Sequence, residues 1–282
     1  MIECVVCGNK DNFNLKFDNL SECIKCNHIF YSKNMSFDEI TKIYSDDYFF
    51  GDEYINYLDE RKQIEKNTKL RINTISKYVK NLKNKNLYEI GCAYGFFLNA
   101  SKNIFKSLNG IDVNTNAINF AFNKLKLKLD KGDFLNKNIQ DNYYDIFCMF
   151  DVIEHLSRPD LFIEKIYNIS KKNSYLIITT GDIKSINARI KGKKWRLIHP
   201  PSHIHYFSKK TITRLLEKNN FKVININHCG YYRSFNFIYN KIPFFYKYLS
   251  WISKNKKISK ILNLDIYLNL FDIMFVIAKK ND

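Results

Sequence analysis

The sequence lacks the two features that direct a chain into or through a membrane. Its first residues, MIECVVCGNK, do not combine a basic stretch with an apolar run, as a secretory signal does. No stretch of about 18 apolar residues occurs, so no transmembrane helix is predicted. We therefore expect a cytoplasmic protein, in a reducing compartment where paired cysteines bind metal more often than they form disulfides.

Acidic residues are scarce relative to basic ones. The 45 Lys and Arg residues outnumber the 28 Asp and Glu residues, which gives a net charge of +17. A basic surface favours anionic partners such as nucleic acid, a membrane surface or phosphorylated small molecules. A general compositional bias explains the charge equally well, because Lys, Asn, Ile and Tyr are frequent throughout the chain.

A G-x-G-x-x-G loop, typical of dinucleotide-dependent dehydrogenases, is also missing. Residues 91–96 read Gly-Cys-Ala-Tyr-Gly-Phe, between a predicted strand and a helix that begins at about Phe96. Gly91 and Gly95 still allow the backbone to approach a ligand closely. The loop therefore predicts a ligand site at the end of a strand and argues against a dehydrogenase.

Four of the seven cysteines form two C-x-x-C pairs near the start of the chain. Cys4 and Cys7 make the first pair, and Cys23 and Cys26 make the second. Two such turns bring four thiolates together in the tetrahedral set that zinc prefers, and a closed set of this kind is structural. A redox pair is the alternative, but no βαβ pattern surrounds either pair. His28 is not predicted as a ligand, because four thiolates complete the site.

Short apolar segments alternate with helical patterns over the rest of the chain. This alternation predicts an α/β fold with a doubly wound, parallel sheet. In such a sheet, ligands bind at the carboxyl ends of the strands. The predicted strands are Leu87–Ile90, Leu108–Ile111, Leu127–Leu129, Ile146–Phe150, Tyr175–Thr180, Phe221–Asn227 and Phe271–Ala278.

Polar residues follow three of these strands. Asp112 ends the second strand, where a carboxylate can accept hydrogen bonds from ribose hydroxyls. Asp133 and Phe134 follow the third strand, where a carboxylate and an aromatic ring can hold a purine. Asp151 and His155 come directly after the fourth strand. The functional residues are therefore expected at one edge of the sheet.

The motifs at these strand ends occur in a recognisable order. Glu-x-Gly-Cys-x-x-Gly comes first, then Ile-Asp, then Gly-Asp-Phe, then Phe-Asp-Val-Ile-Glu-His-Leu. In this order they resemble the motifs of class I S-adenosylmethionine-dependent methyltransferases, over residues 86–222 and a last strand at 272–278. The resemblance implies a Rossmann-like, seven-stranded sheet whose final strand is antiparallel, and S-adenosylmethionine as the cofactor.

The resemblance also implies which residues hold the cofactor. Ala93 stands where the family often has glycine, and we expect alanine to be tolerated there if its φ is negative. The implied positions are Glu89, Gly91 and Gly95 at the methionine end, Asp112 at the ribose, Asp133 and Phe134 at the adenine, Asp151 near the reacting sulfonium, and Cys92 and Ala93 in the loop between the glycines.

Two further segments resemble a group of methyltransferases that act on small molecules and sugars. They are Asp151–Pro159 and the run from Trp195 to Ser208, which contains His-Pro-Pro-Ser-His-Ile-His-Tyr-Phe-Ser. A zinc ribbon joined to a methyltransferase domain is similar to enzymes of surface-polysaccharide and deoxysugar pathways. The resemblance implies O-methylation of a sugar, a sugar nucleotide or another phosphorylated precursor of a capsular or lipopolysaccharide glycan. Nitrogen and carbon acceptors stay open.

A hydroxyl acceptor needs a base near neutral pH, which histidine can provide. His155, after the fourth strand, is either this base or a structural residue. His203 matches the family's recurrent histidine before an aromatic-Phe-Ser run, and His199 is a further candidate. With His205, the latter two also raise the alternative of a second metal site. The Pro-Pro break and the lack of an adjacent acidic ligand argue against that alternative.

A basic and aromatic run precedes these histidines. Lys193, Lys194, Trp195 and Arg196 can form a pocket for a phosphorylated or nucleotide-linked acceptor, because arginine can bind phosphate through two parallel hydrogen bonds. A solvated run of surface charge is the alternative interpretation.

Three segments surround the predicted methyltransferase domain, which we place at residues 85–230 and 271–282. Residues 1–33 are the predicted zinc ribbon. Residues 34–84 have a helical pattern and are interpreted as a connector or lid. Residues 231–270 are an insertion rich in aromatics and lysine, which suits either a membrane interface or an ordinary lid or dimer contact.

Two other functions compete with this interpretation. An RNA base methyltransferase with a zinc-ribbon RNA-binding module fits the net charge of +17. Against it, the Asn-Pro-Pro-aromatic loop that grips flipped bases is missing after the fourth strand. A zinc-ribbon binding module without enzymatic activity is disfavoured by the intact cofactor loops.

Overall fold

A large central sheet and a small N-terminal sheet contain most of the strands. The computed structural model describes residues 3–33, 61–235 and 264–281, together with Glu39 alone. In chain order, the strands of these ranges are β1 (Phe13–Leu15), β2 (Leu20–Cys23), β3 (Ile29–Tyr31), β4 (Asn86–Ile90), β5 (Ser107–Asp112), β6 (Asp130–Lys131), β7 (Ile146–Phe150), β8 (Tyr175–Gly181), β9 (His205–Tyr206), β10 (Phe221–His228), β11 (Tyr231–Ser234), β12 (Asp265–Leu268) and β13 (Ile273–Lys280).

The central sheet has seven strands in the order β10-β13-β8-β7-β4-β5-β6. Neighbouring strands from β8 to β6 are parallel, whereas β13 is antiparallel to both β8 and β10. The chain begins in the middle at β4, winds outward to β6 and then builds the other half through β7 and β8. The predicted α/β, doubly wound sheet with an antiparallel last strand is confirmed.

Helices cover both faces of this sheet. Side-chain caps set three of their starts: Asn114 accepts a hydrogen bond from the Ala117 amide, Ser185 accepts one from the Ala188 amide, and Ser208 forms a capping box with Thr211. The helices are α1 (Arg61–Tyr78), α2 (Phe96–Ala100), α3 (Thr115–Leu125), α4 (Pro159–Ile169), α5 (Ile186–Lys191) and α6 (Lys209–Lys218), with short 3₁₀ turns at Leu82–Asn84, Ile153–His155 and Gly192–Lys194.

Alternate residues of the buried strands point into two apolar cores. Tyr88 and Phe147 pack with α4 and α6 on one face, while Leu87 and Ile146 pack with α1 and α3 on the other. β4 and β7 are buried along their whole length, as expected at the centre of a parallel sheet. Burying each large apolar side chain stabilises the folded state by roughly 1.5–3 kcal/mol. The loops at the ends of these strands are therefore attached to a stable sheet.

The third predicted strand, Leu127–Leu129, is wrong. β6 is Asp130–Lys131 instead, two residues that pair in parallel with the end of β5. Leu127 and Leu129 lie against the glycine loop, where Cδ1 of each is 3.1 Å from a Cβ built on Gly95. Their apolar character reflects this packing and not pairing in the sheet.

The N-terminal residues fold into a second sheet that a distant strand completes. β1, β2 and β3 are antiparallel, and β3 pairs with β9 through Ile29↔Tyr206 and Phe30↔His205. The residues of β2 are buried, and the ribbon core is continuous with the apolar core beneath α4 and α6. The small module is therefore built onto the large domain.

Two predicted flanking segments are described only in part. From residues 34–84 the structure describes α1, and from residues 231–270 it describes β11 and β12, which pair antiparallel. The aromatic stretch around Pro243, predicted as a membrane interface or lid, lies outside the described residues. None of the described helices has the length and apolar character needed to span a bilayer.

Candidate functional site

A cavity of about 340 Å³ opens at the carboxyl ends of β4, β5, β7 and β8. α1 forms one side of it, and the loop around residues 196–203 forms another. Gly95 is the one predicted cofactor residue that does not line it, because this glycine packs behind the loop. Those that do are Glu89, Gly91, Cys92, Ala93, Asp112, Asp133, Phe134 and Asp151.

The loop after β4 starts with a residue that must be small. Gly91 has a φ of 72°, and its amide donates to the carbonyl of Ile111 at 2.9 Å. A Cβ built on Gly91 would lie 2.4 Å from Cγ2 of Val152. Glycine therefore lets the loops after β4 and β7 approach each other beside the cavity.

Ala93 has a backbone conformation that differs from the expected one. Its φ is 45°, in the left-handed region, whereas tolerance of alanine was expected for a negative φ. This conformation costs roughly 1–2 kcal/mol for a residue with a Cβ. The amide of Ala93 donates to Oδ2 of Asp112 at 2.7 Å, and this charge-assisted hydrogen bond offsets the strain.

Backbone amides hold the Asp112 carboxylate at the end of β5. Besides Ala93, the amide of Asn114 donates to Oδ1 at 2.9 Å. Burial raises the pKa of Asp112, while the backbone hydrogen bonds oppose that rise. Because each carboxylate oxygen has about two acceptor sites, capacity is left for the hydroxyl groups of a ligand.

Glu89 is a buried carboxyl group at the end of β4. Its Oε2 makes no hydrogen bond with any residue in the described ranges. Burial raises the pKa of Glu89 to about 8, while the positive charge of Arg71 lowers this pKa and Asp112 raises it further. A buried acceptor without a partner costs free energy, so this end of the cavity suits a polar or cationic ligand group.

The residues predicted at the adenine line the far side of the cavity. Asp133 is fixed by the Leu135 amide, which donates to its Oδ1 at 3.0 Å. The Phe134 ring is buried and stacks on Phe162, with 5.4 Å between ring centroids. Burial also raises the pKa of the Cys92 thiol well above its ordinary value, so Cys92 is a packing residue and not a nucleophile.

Asp151 links the end of β7 to α1. The Thr179 hydroxyl donates to its Oδ1 at 2.9 Å, and Nη2 of Arg71 lies 3.3 Å from its Oδ2. The guanidinium group of Arg71 also lies 4.1 Å from the ring centroid of Phe150. Sequence reasoning missed Arg71, because nothing in the helical pattern of α1 indicates which of its charges faces the cavity.

Two of the three predicted catalytic histidines meet in the cavity. The ring centroids of His155 and His203 are 4.6 Å apart, and Nδ1 of His155 lies 2.8 Å from the Ser202 carbonyl oxygen. Because a carbonyl only accepts, Nδ1 donates and the lone pair of the neutral ring lies on Nε2. Burial lowers the pKa of His155 to about 4 and that of His203 well below its usual value. Both rings are therefore neutral at pH 7.

Glu154 joins these two histidines, and their three ligand atoms lie within 4.8 Å of one another. The sequence-based metal alternative, which grouped His199, His203 and His205, is wrong because the fold places His205 elsewhere, although the His199 ring packs on His203 with 5.4 Å between ring centroids. His199 is exposed and does not line the cavity, and His205 contacts the ribbon. Sequence reasoning also missed the acidic neighbour, Glu154, because it comes from the turn after β7.

One residue of the predicted basic pocket faces the cavity. Arg196 lines it, and its Nη2 lies 2.9 Å from Oδ1 of Asp272. Trp195 is buried and donates from Nε1 to Oδ2 of Asp272 at 2.9 Å, whereas Lys193 and Lys194 are exposed. A pocket built from all four residues is therefore wrong, because Asp272 draws the tryptophan into the core.

β11 supplies cavity residues that the sequence did not single out. Tyr231 and Arg233 line the cavity. The guanidinium groups of Arg196 and Arg233 lie 5.7 and 5.2 Å from the centroid of the Tyr231 ring. Two cations thus flank one aromatic ring, and the aromatic and basic composition after residue 230 was the only signal for them.

The four ribbon cysteines converge on one point. The Sγ atoms of Cys4 and Cys26 are 3.6 Å apart, as are those of Cys7 and Cys23, and all four lie within 4.8 Å of one another. Tetrahedral zinc with Zn–S bonds of about 2.3 Å separates its sulfur atoms by about 3.8 Å, whereas a disulfide needs about 2.0 Å. The donor set and its spacing fit zinc.

Comparison with known proteins assigns the large domain. A family model described as "Methyltransferase domain" matches residues 60–226, well over half of the chain. The chain belongs to this family. With the seven-stranded sheet described above, its large domain is a class I S-adenosylmethionine-dependent methyltransferase domain.

Individual relatives are more distant. The ubiquinone biosynthesis O-methyltransferase of Pelagibacter ubique is 29% identical over 136 residues, which are 46% of this chain and 57% of that protein. The chain thus spans little more than half the length of this relative. A SAM-dependent methyltransferase from Archaeoglobus fulgidus has a TM-score of 0.53 at 22% identity, covering 79% of this chain and 99% of its own. Magnesium protoporphyrin IX methyltransferase from Synechocystis, solved with bound SAH, has a TM-score of 0.53 at 12% identity, covering 83% and 92%. Both structures share the fold.

The cavity of the methyltransferase fits its cofactor. The unpartnered Oε2 of Glu89 suits the ammonium group of the methionine end, and Asp112 has acceptor capacity for ribose hydroxyls. Asp133, Phe134 and Asp151 also line the cavity. The individual roles of these residues stay predictions.

The predicted role of Asp112 at the ribose implies that the Asp112→Ala variant loses cofactor affinity. Hydrogen bonds to a charged group contribute about 1.5–3 kcal/mol, so the Kd for S-adenosylhomocysteine should rise about 10- to 150-fold in calorimetric titration. Asp141→Ala, at an exposed carboxylate, is the matched control and should bind as the wild type does. Equal affinity in all three proteins would remove Asp112 from the cofactor site.

Gly91→Ala should weaken cofactor binding through the backbone. The added Cβ clashes with Val152 and holds a left-handed φ, which costs roughly 1–2 kcal/mol. We expect the Kd for S-adenosylhomocysteine to rise at least about tenfold, and the double variant with Val152→Ala to recover part of the loss. Val152→Ala alone is the control, and unchanged binding by Gly91→Ala would contradict the close approach of the two loops.

Proposed function

We propose that the methyltransferase O-methylates an anionic acceptor, a phosphorylated or nucleotide-linked sugar that serves as a precursor of a surface glycan. The observation that carries this proposal is the presence of neutral histidines and arginines in one cavity. His155 and His203 provide candidate bases, and Arg196 and Arg233 provide guanidinium groups. A hydroxyl acceptor needs the first pair, and a phosphate group on the same acceptor suits the second.

The residues have separate tasks in this reaction. S-adenosylmethionine, when bound, supplies an electrophilic methyl group on sulfur. The neutral ring of His203 or His155 would take the hydroxyl proton, so that the acceptor oxygen could receive the methyl group that the cofactor supplies. Arg196 and Arg233 bind the phosphate, so the hydroxyl is oriented before the bond forms.

A second candidate is O-methylation in ubiquinone biosynthesis, the activity after which the Pelagibacter ubique relative is named. The similarity to that protein supports an oxygen acceptor. The two arginines of the cavity favour the phosphorylated acceptor instead. Both candidate reactions use the same base. They differ in the chemical group of the acceptor that Arg196 and Arg233 would contact.

An acceptor screen with labelled S-adenosylmethionine tests the proposal. The panel contains sugar nucleotides, sugar phosphates, the same sugars without phosphate, hydroxylated benzoates and total RNA. We expect label in the phosphorylated sugars, and a KM raised about tenfold or more in Arg233→Gln for these acceptors only. Label in the benzoates alone would favour the second candidate, and salt-sensitive labelling of RNA would favour an RNA methyltransferase.

We also propose that the ribbon holds a structural zinc ion through Cys4, Cys7, Cys23 and Cys26. The sulfur spacing of 3.6 Å within two pairs supports it. A four-thiolate site has no open position for a substrate, so the ion would stabilise the ribbon without taking part in methyl transfer.

The buried histidines predict an unusual pH profile. Burial lowers the pKa of His155 to about 4, so its neutral form persists well below the usual pKa of about 6.5 and is lost only as the pH falls toward 4. With S-adenosylmethionine saturating, so that the ionisation of Glu89, whose pKa is about 8, does not limit cofactor binding, kcat/KM for the acceptor should change by less than about twofold between pH 8 and 5.5. A base of ordinary pKa would cut it to about a tenth. Full recovery after return to pH 7.5 excludes acid unfolding, and an inflection near 6.5 would contradict a buried base.

A further inference from the structure

The ribbon and the acceptor side of the cavity share a strand pairing. β3 of the ribbon pairs with His205 and Tyr206 of β9, which begins two residues after His203. The amide of Tyr31 also donates to the carbonyl of Ile204 at 2.8 Å. The chain that leaves His203 is therefore an additional strand of the ribbon sheet.

The backbone of Ile204 also connects the ribbon to His155, the second histidine. The amide of Ile204 donates to the carbonyl of Glu154 at 2.9 Å, and Glu154 directly precedes His155 in the 3₁₀ turn after β7. The Nδ1 of His155 donates in turn to the carbonyl of Ser202. Since Ile204 is bonded to both the ribbon and this turn, a shift of the ribbon edge moves His203 and His155 together.

A buried contact between two histidines fixes the same junction. Nε2 of His28 and Nδ1 of His205 are 3.0 Å apart, and both residues are buried. The His28 ring packs on Phe30 and Phe207, with centroid distances of 6.0 and 4.9 Å. Removing one partner leaves a buried polar atom of the other unsatisfied, which is costly. His28, outside the four-cysteine set, thus ties the ribbon to β9.

We propose that the ribbon is a positioning element for methyl transfer, which holds His203 and His155 against the acceptor through β9 and the His28–His205 contact. The inference rests on the proposed function, in which these two histidines serve the acceptor hydroxyl. Of the predicted cofactor residues only Asp151 follows β7; the others lie at the ends of β4, β5 and β6. The ribbon, in contrast, contacts the 3₁₀ turn after β7 and the loop before β9. The ribbon therefore governs the acceptor step and not cofactor affinity.

The test compares His28→Phe with Lys25→Ala, an exposed change in the same ribbon. Phenylalanine keeps an aromatic ring on Phe30 and Phe207 but removes the partner nitrogen of His205. We expect the zinc content and the Kd for S-adenosylhomocysteine to stay within about twofold, while kcat/KM for the acceptor falls about 10- to 100-fold, the scale of a 1 Å misplacement. Amide exchange over residues 199–207 should accelerate. His28→Gln, whose amide can replace the nitrogen, should recover most of the activity.

His205→Phe removes the same contact without changing a residue of the ribbon. If His28→Phe loses zinc, the test is made with His205→Phe in its place. The proposal is overturned if activity and amide exchange match those of Lys25→Ala, or if cofactor affinity falls in parallel with kcat/KM. Should the wild type methylate no acceptor of the panel, the proposed function fails by itself. Faster exchange over residues 199–207 with unchanged cofactor affinity still supports the role of the ribbon, and unchanged exchange still refutes it.

Discussion

Replacing His203 by asparagine should lower kcat by about 10²- to 10⁴-fold and leave the Kd for S-adenosylhomocysteine within about twofold. His203 lines the cavity beside His155, and burial keeps its pKa well below the usual value. Its ring is therefore neutral and can take a proton at pH 7. Asparagine has a similar size but cannot do so. The kcat is measured at saturating cofactor and acceptor, and the Kd by calorimetry.

His199→Asn is the control on the same loop, because the His199 ring packs on His203 with 5.4 Å between ring centroids but is itself exposed and outside the cavity. It should keep nearly full activity. His155→Asn separates two readings of the pair: a loss as large as that of His203→Asn indicates that the two rings act together, and a small loss leaves His155 a structural residue. A fully active His203→Asn enzyme would transfer the role of base to His155, and two fully active variants would exclude a histidine base.

Most strands of the central sheet could be predicted from local sequence patterns. β4 and β7 are short apolar runs buried on both sides, and each ends in a residue of the cavity, so their position and their function could be predicted together. The prediction of the third strand was wrong because its apolar residues, Leu127 and Leu129, pack against the glycine loop and do not pair in the sheet. Strand pairing falls on the polar pair Asp130–Lys131, which no hydrophobic pattern marks.

Contacts between distant parts of the chain could not be predicted from a single sequence. His28 and His205 are 177 positions apart, and Arg71 reaches Asp151 across 80. Spacing grouped His199, His203 and His205, yet the fold sends one to solvent, one to the cavity and one to the ribbon. Only a neighbour from another element decides which of these environments each histidine occupies.

The largest effect on stability is expected from Cys23→Ser. A serine hydroxyl is a poor replacement for a thiolate, and three remaining thiolates bind zinc far less tightly. Structural zinc contributes about 10–16 kcal/mol of binding free energy in small finger peptides, which exceeds the stability of most whole domains. Zinc content measured by mass spectrometry should fall from about one ion per chain to near zero, and a protease should then cut within residues 3–33.

Because β3 pairs with β9, this unfolding cannot be confined to the ribbon. Loss of the pairing exposes the backbone of His205 and Tyr206, and the apolar core shared with α4 and α6 opens on that side. We therefore expect a lower Tm for the methyltransferase domain as well, and slower methyl transfer, with the cofactor still bound at temperatures below that Tm. Cys229→Ser, at a free cysteine outside the ribbon, should keep the zinc. A Cys23→Ser protein that retains zinc and resists the protease would show that the ribbon folds without a four-thiolate site.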